Sequence, residues 1–145
     1  MFFGEYRHQI DEKGRIRIPP KLKAMLGEHP FITRSGGNSP NKCLIVLPEK
    51  DAARIFDAEF GTLNVLTDDS KSVRVMASSG FVAEEDKAGR ILLPQRLMEH
   101  AGLTKNIVTL GAYNRVEIWD EESWDAYSKG EAEPDDKIEE GCGDE

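Results

Sequence analysis

Two twelve-residue stretches set arginine and lysine against aspartate at matched spacing. Asp11 to Leu22 reads DEKGRIRIPPKL, and Asp86 to Leu97, seventy-five positions later, reads DKAGRILLPQRL. In each, an aspartate (Asp11, Asp86) precedes an arginine (Arg15, Arg90) by four positions, with a glycine (Gly14, Gly89) directly before the arginine. Lys13, Arg17 and Lys21 complete the cations of the first copy; Lys87 and Arg96 accompany Arg90 in the second. A guanidinium can bond guanine O6 and N7 together, so arginines just past a tight turn suit the reading of base edges. Lys13 at the turn, and Lys21 or Arg96 at a following helix start, suit phosphates, which position a protein without specifying sequence; Lys87, Arg90 and Arg96 form a weaker version of the same set that could instead serve the scaffold or contacts between subunits. The plainer use is that Arg15 and Arg90 pair with Asp11 and Asp86 and lock the turns. The two uses can coexist, because a carboxylate can orient an arginine. Asp11, Gly14, Asp86 and Gly89 themselves read as turn structure, since aspartate bonds its own turn and glycine takes the left-handed conformation that closes it.

Other chemistry has little to stand on. The chain has no nucleophile–base motif, no glycine-rich phosphate loop and no metal-ligand cluster, so no catalytic residue, metal or cofactor is expected and the chain does not read as an enzyme. His8, His29 and His100 fall on different elements, and Cys43 and Cys142 have no metal-ligand spacing. Trp119, Trp124 and Tyr127 read as core or subunit interface rather than as a platform for stacking bases. Arg7, alternating with Tyr6, reads as a solvated arginine near the basic face.

The elements that must position the cations follow from local pattern. An aromatic-rich strand over residues 2–10 leads into the turn at Asp11. Arg15–Ile18 alternates charged and apolar with period two, placing Arg15 and Arg17 on one face and Ile16 and Ile18 on the other. Pro19 and Pro20 end the strand and open a short helix to Leu26, with Gly27 as its C-cap, and backbone N–H groups at the helix starts after Pro19 and Pro94 could add phosphate donors. A hairpin over 31–47 and a helix from Pro48 to about Phe60 complete the first half. A connector over 61–67 leads to a helix capped by Asp68 or Asp69 and running to about Ala77. The second half repeats the order: strand 81–84, turn, strand 90–93, helix 94–101 with Gly102 as cap, hairpin 106–119, and a last helix capped by Asp120. Residues 129–145, rich in Glu, Asp, Gly and Pro, are expected to be disordered. The domain reading is therefore a first half-domain at 1–60, a connector with a helix at 61–79, a second half-domain at 80–128 and an acidic tail at 129–145.

The two copies share six identities in twelve positions, which marks an internal repeat. A half of such length buries only a marginal core alone, so the halves must pack together or swap elements. The net charge of −8 seems to argue against a nucleic-acid partner, but its distribution does not. Residues 117–145 hold thirteen acids and two lysines; the remaining residues hold 17 bases and 14 acids. Residues 1–25 carry six bases against three acids, so the first motif copy sits in a locally basic segment. The opening MFFGEYRHQI has no basic n-region or long apolar h-region, and no apolar run approaches a membrane span, which makes the cytoplasm the default location.

With the opening FFGEY, the two Asp-x-x-x-Arg turns (Asp11/Arg15 and Asp86/Arg90), each followed by a strand and proline, and the EIWD segment at Glu117–Asp120, the chain resembles the MraZ family of bacterial transcriptional regulators, within the wider group of AbrB-like, swapped-hairpin DNA-binding proteins. The resemblance covers about residues 1–128, leaving the acidic tail outside it. It implies an α+β fold, a pseudo-twofold, swapped-hairpin β-barrel with short flanking helices. It also implies homo-oligomeric rings and binding of double-stranded DNA at short direct repeats in the promoter of a cell division and cell wall gene cluster that includes the regulator's own gene. Such a protein would be cytoplasmic and nucleoid-associated, with no small-molecule substrate. The second copy departs by carrying Leu92 and Leu93 where the first has Arg17 and Ile18, and is less basic. A different function compatible with the residues is an antitoxin-like interaction module whose acidic tail wraps a basic partner.

Overall fold

The computed structural model describes residues 1–37, 40–64, 66 and 70–130. Among these the chain forms β1 (Glu5–Gln9), β2 (Arg15–Ile16), α1 (Pro20–Leu26), β3 (Phe31–Arg34), β4 (Leu44–Leu47), α2 (Glu49–Phe60), α3 (Lys71–Ser79), β5 (Phe81–Val82), β6 (Ile91–Leu92), α4 (Gln95–Ala101), β7 (Asn106–Gly111), β8 (Val116–Asp120) and α5 (Glu121–Ser128). No helix among the described residues is long and apolar enough to cross a membrane.

The fold is α+β with antiparallel pairing throughout. One sheet has six strands in the order β1-β7-β8-β4-β3-β5, and β2 pairs β6 in a separate two-stranded ribbon. Replacing each first-half strand by its counterpart (β1 by β5, β3 by β7, β4 by β8) returns the same order reversed, so the sheet has pseudo-twofold symmetry about the β4–β8 pair. The pairing crosses between the two halves. Tyr6 lies opposite Thr109 in β1–β7, and Ile32 lies opposite Phe81 in β3–β5. In the ribbon, Arg15 lies opposite Leu92 and Ile16 opposite Ile91. Neither half therefore completes its own sheet, as the marginal core of a single half requires.

The closed barrel expected from the resemblance is not found. β1 and β5 end the six-stranded sheet, and the ladder thins to single contacts where the chain passes toward the ribbon: Asp11 N–H to Arg15 O at 3.0 Å, Asp86 N–H to Arg90 O at 2.8 Å, and an isolated Glu85–Ile91 bridge. The turns of the repeated motif interrupt the hydrogen bonding that closure would need.

Both faces of the six-stranded sheet are covered, which explains the uninterrupted apolar run LIVL of β4. On one face, Leu44 and Val46 pack with Ile107, Val116 and Ile118 beneath the ribbon residues Ile16, Ile18, Ile91 and Leu93 and the helix residues Leu22, Leu26, Leu97 and Ala101. On the other, Ile45, Leu47, Val108, Leu110 and Trp119 pack against Ile55 and Phe56 of α2, Met76 of α3 and Trp124 and Tyr127 of α5. Trp119 stacks on Tyr127 at 5.1 Å between ring centroids and meets Trp124 edge-on at 5.2 Å, so Trp119 is core and the two partly buried rings of α5 pack over it.

Three local expectations need correction. The helix expected from Asp68 or Asp69 starts at Lys71 with Ser70 in the N-cap position; Asp68 and Asp69 lie outside the described residues. Asp120 occupies the N-cap position of α5 but makes no capping bond; its carboxylate accepts instead from Thr104 N–H (3.0 Å) and Oγ1 (2.7 Å). Arg7 is not on the basic face: Glu5, Glu121 and Asp125 hold it at 2.7, 3.3 and 2.9 Å, tying β1 to α5. The expected disorder of the tail falls outside the described residues from 131 onward.

Candidate nucleic-acid interface

The two repeated turns are built alike. Asp11 Oδ1 accepts the backbone N–H of Lys13 and of Arg15, both at 2.9 Å, and its Oδ2 accepts Arg15 Nε at 2.8 Å. Asp86 Oδ1 accepts the N–H of Ala88 and Arg90, both at 2.9 Å, and its Oδ2 accepts Arg90 Nε at 3.1 Å. Gly14 and Gly89 close these turns at φ +81° and +79°, a conformation that side chains with a Cβ rarely adopt. The Arg15 backbone N–H is the main reason the Asp11 carboxyl is held below its ordinary pKa, with the Arg15 guanidinium and Lys13 N–H adding to it. Asp86 is lowered in the same way, first by the Arg90 backbone N–H.

The ribbon brings the turns face to face. Arg15 Nη1 lies 3.8 Å from Asp86 Oδ2, and Arg90 Nη1 lies 3.7 Å from Asp11 Oδ2. The result is a ring of four alternating charges, Asp11–Arg15–Asp86–Arg90, with each residue 75 positions from its counterpart. Each arginine makes its short side-chain bond through Nε. Its Nη1 also reaches the aspartate of the opposite turn, so the guanidinium plane is fixed from two sides. Arg15 and Arg90 are each half-buried, with side chains 26% and 32% exposed.

Alternation along the ribbon sorts the rest. Ile16, Ile18, Ile91 and Leu93 point into the core, so Arg15, Arg17, Arg90 and Leu92 form the outer face. Arg17 is exposed and donates from Nε to Ala88 O at 2.9 Å, which leans it over the second turn. Lys13 and Lys87 are exposed at the two turn tips, and Lys21 and Arg96 are exposed in the first turns of α1 and α4. All seven candidate cations therefore lie on the ribbon or on the turns and helix starts flanking it. At the start of α1 fewer backbone donors remain for phosphate than the helix start alone suggests. Pro20 has no N–H, and the N–H groups of Leu22 and Lys23 are taken by Pro19 O.

Two features were not foreseen. Lys105 is exposed beside the first turn because its carbonyl accepts Ile10 N–H at 2.9 Å. With Lys13, Arg15 and Arg90 it borders an open groove of about 760 Å³. No local pattern marks Lys105; the β1–β7 pairing alone brings it there. Leu92, which the sequence offers only as a lost arginine, is 60% exposed at the centre of the outer face. Lys23, by contrast, is spent on Glu85 at 2.6 Å. The histidines are placed apart: His8 bonds Thr109, His29 bonds Ala83 O and His100 bonds Ser35. Among the described residues no group of histidine, cysteine and carboxylate side chains is arranged to hold a metal.

Comparison with known proteins places this arrangement. The family described as "MraZ protein, putative antitoxin-like" matches residues 1–57 and 76–141. The match omits residues 58–75, resumes within α3 and runs through most of the acidic tail. A protein of Clostridium beijerinckii named "Transcriptional regulator MraZ" is 42% identical over 130 residues, 89% of this chain and 88% of its own length. Proteins of the same name from Carboxydothermus hydrogenoformans and Oenococcus oeni are each 37% identical, over 90% and 95% of this chain and 88% and 94% of theirs. The repeated turns, the crossed strand pairing and these matches together make this chain a member of the MraZ family.

Proposed function

We propose that this protein is a sequence-specific, DNA-binding regulator of transcription, not an enzyme, and that it reads DNA through the outer face of the β2–β6 ribbon. The single observation that carries the reading is the set of three arginines, Arg15, Arg17 and Arg90, on the outer face of one two-stranded ribbon. A ribbon of that width fits the major groove, and arginine is the side chain that bonds guanine through two atoms at once. Asp11 and Asp86 serve as clamps that hold two of the guanidinium planes. Lys13, Lys21, Lys87 and Arg96 flank the ribbon at positions suited to phosphate.

The same reading takes residues 1–60 and 80–128 as two exchanged-hairpin half-domains joined by a connector at 61–79, related to the swapped-hairpin barrels. Its target is a short direct repeat in the promoter of a cell division and cell wall gene cluster that includes its own gene, and it works in the cytoplasm at the nucleoid. One ribbon makes few base contacts, so affinity comes from a ring of several subunits engaging several repeats at once. Gel shift on a repeat-containing promoter fragment tests this. Arg15→Ala should weaken the specific site by about 1–3 kcal/mol, roughly 5- to 150-fold. Lys13→Ala or Lys21→Ala should weaken all duplexes alike and flatten the salt dependence by about one unit of slope. Undiminished binding by Arg15→Ala removes the ribbon from the reading.

The antitoxin-like description of the family favours a second reading, a module that binds a basic protein through its acidic tail. Removing residues 129–145 separates the two: the regulator keeps its DNA site, whereas the interaction module loses its partner.

A further inference from the structure

Leu92 is one of several large apolar side chains exposed among the described residues, and it sits on the arginine-bearing face of the ribbon. Its neighbours Ile91 and Leu93 are buried at 1% and 2% exposure, yet Leu92 is 60% exposed. It sits on a strand of two residues and lies directly opposite Arg15. Arg90 is two residues back on the same strand and therefore on the same face. Continuing the register one step places Arg17 opposite Arg90. A large aliphatic side chain thus shares its face of the ribbon with three arginines, two of them bonded to carboxylates. Among the described residues nothing covers more than a minor part of it. A solubility argument would put a polar residue here, and the first copy does so, with Arg17 at the position equivalent to Leu92.

We infer that Leu92 is a specificity-determining residue that reads the C5-methyl group of thymine in the major groove. The inference rests on the reading of the ribbon as the DNA-contacting element. In the major groove only thymine among the four bases presents a methyl group, and apolar side chains are what distinguish it. Arginines on either side read guanine, so one ribbon carries both kinds of contact. The exchange of Arg17 for Leu92 between the copies breaks the pseudo-twofold symmetry of the outer face. An asymmetric reader suits a direct repeat, whose units have a direction, better than a palindrome.

Deoxyuridine tests this directly, because it lacks the methyl group and keeps the hydrogen-bonding edge of thymine. The full-length protein is titrated against the duplex recovered by selection from random sequence, with each thymine replaced in turn by deoxyuridine. One thymine position per repeat should show a loss of about fourfold for the wild type, the size expected for one buried methyl group. Leu92→Ala should bring the thymine duplex down to the affinity of the deoxyuridine duplex, so that the variant no longer discriminates. Tryptophan fluorescence confirms that the variant is folded. Discrimination at no position, or discrimination that persists in Leu92→Ala, overturns the inference while leaving ribbon binding intact. A change in sedimenting mass with unchanged thymine preference assigns Leu92 to contact between copies instead. If the wild-type protein selects no duplex, both this inference and the ribbon reading fail together.

Discussion

Ile16→Ala tests whether the crossed pairing makes one cooperative unit. Ile16 is 1% exposed and faces Ile91, itself 1% exposed, across the ribbon that joins the two copies of the motif. Truncation removes three carbons from a site whose neighbours (Ile18, Leu93, Leu97) are held by strands and helices from both halves. Little collapse into the cavity is possible, so a cost of about 3 kcal/mol is expected, inside the range for such substitutions. With a urea dependence of about 2 kcal/mol per molar for a chain of this size, the midpoint should fall by about 1.5 M. The two tryptophans, Trp119 and Trp124, are both in the second half and pack on the opposite face of the sheet from Ile16. Their fluorescence therefore reports the change only if the halves unfold together. The expected result is a single transition, shifted equally by fluorescence and by far-ultraviolet circular dichroism. A tryptophan transition that stays in place while the dichroism shifts would refute the argument, because it would mean that the second half is stable without its strand-exchanged partner.

Two other perturbations probe the same frame. Burial, with Arg34 and Lys42 nearby, pushes the His100 imidazole down to about 4 from an ordinary 6.5. Above pH 6.5 both folded and unfolded chains hold it neutral; between 6.5 and about 4 only the unfolded chain takes up the proton, so stability falls as the pH drops through that window and levels off below it. After discounting for its partial exposure, the loss at pH 5 is roughly 1 kcal/mol. His100→Gln should lose less stability between pH 7 and pH 5 than the wild type in urea titrations, and an identical loss would count against the assignment. Gly111→Ala would place a methyl carbon 2.2 Å from Phe3 N and 2.4 Å from Phe2 C, both backbone atoms. It should push residues 2–4 off β7 and cost on the order of 2 kcal/mol in thermal or urea unfolding; a variant as stable as the wild type would show that the N-terminal segment does not lie there.

The repeat made much of the fold legible. Equal spacing of Asp11 and Asp86, and of Gly27 and Gly102, marked equivalent turns and helices, and period-two alternation at Arg15–Ile18 identified the inward and outward faces of the ribbon. What the sequence could not supply was partnership across distance. Nothing local says that Arg15 lies beside Asp86 as well as Asp11, that Arg7 belongs to the acids of α5, or that Lys105 borders the first turn. Each depends on strand exchange, which pairs residues about 70 to 120 positions apart. Asp120 misled for a related reason. A local capping bond was the simplest use of its carboxylate, but Thr104 on the neighbouring segment offers two donors and wins. Leu92 looked like a lost cation because residue type was legible and exposure was not.

The central claim is that the arginine-bearing face of the β2–β6 ribbon reads a specific sequence. Selection of duplexes from random DNA by the full-length protein, run in parallel with Arg15→Ala, tests it most directly. A short, directly repeated element containing guanine, enriched by the wild type and lost or degenerate at one guanine position with the variant, is the predicted result. No enriched element, or the same element recovered with equal stringency by Arg15→Ala, would contradict the claim.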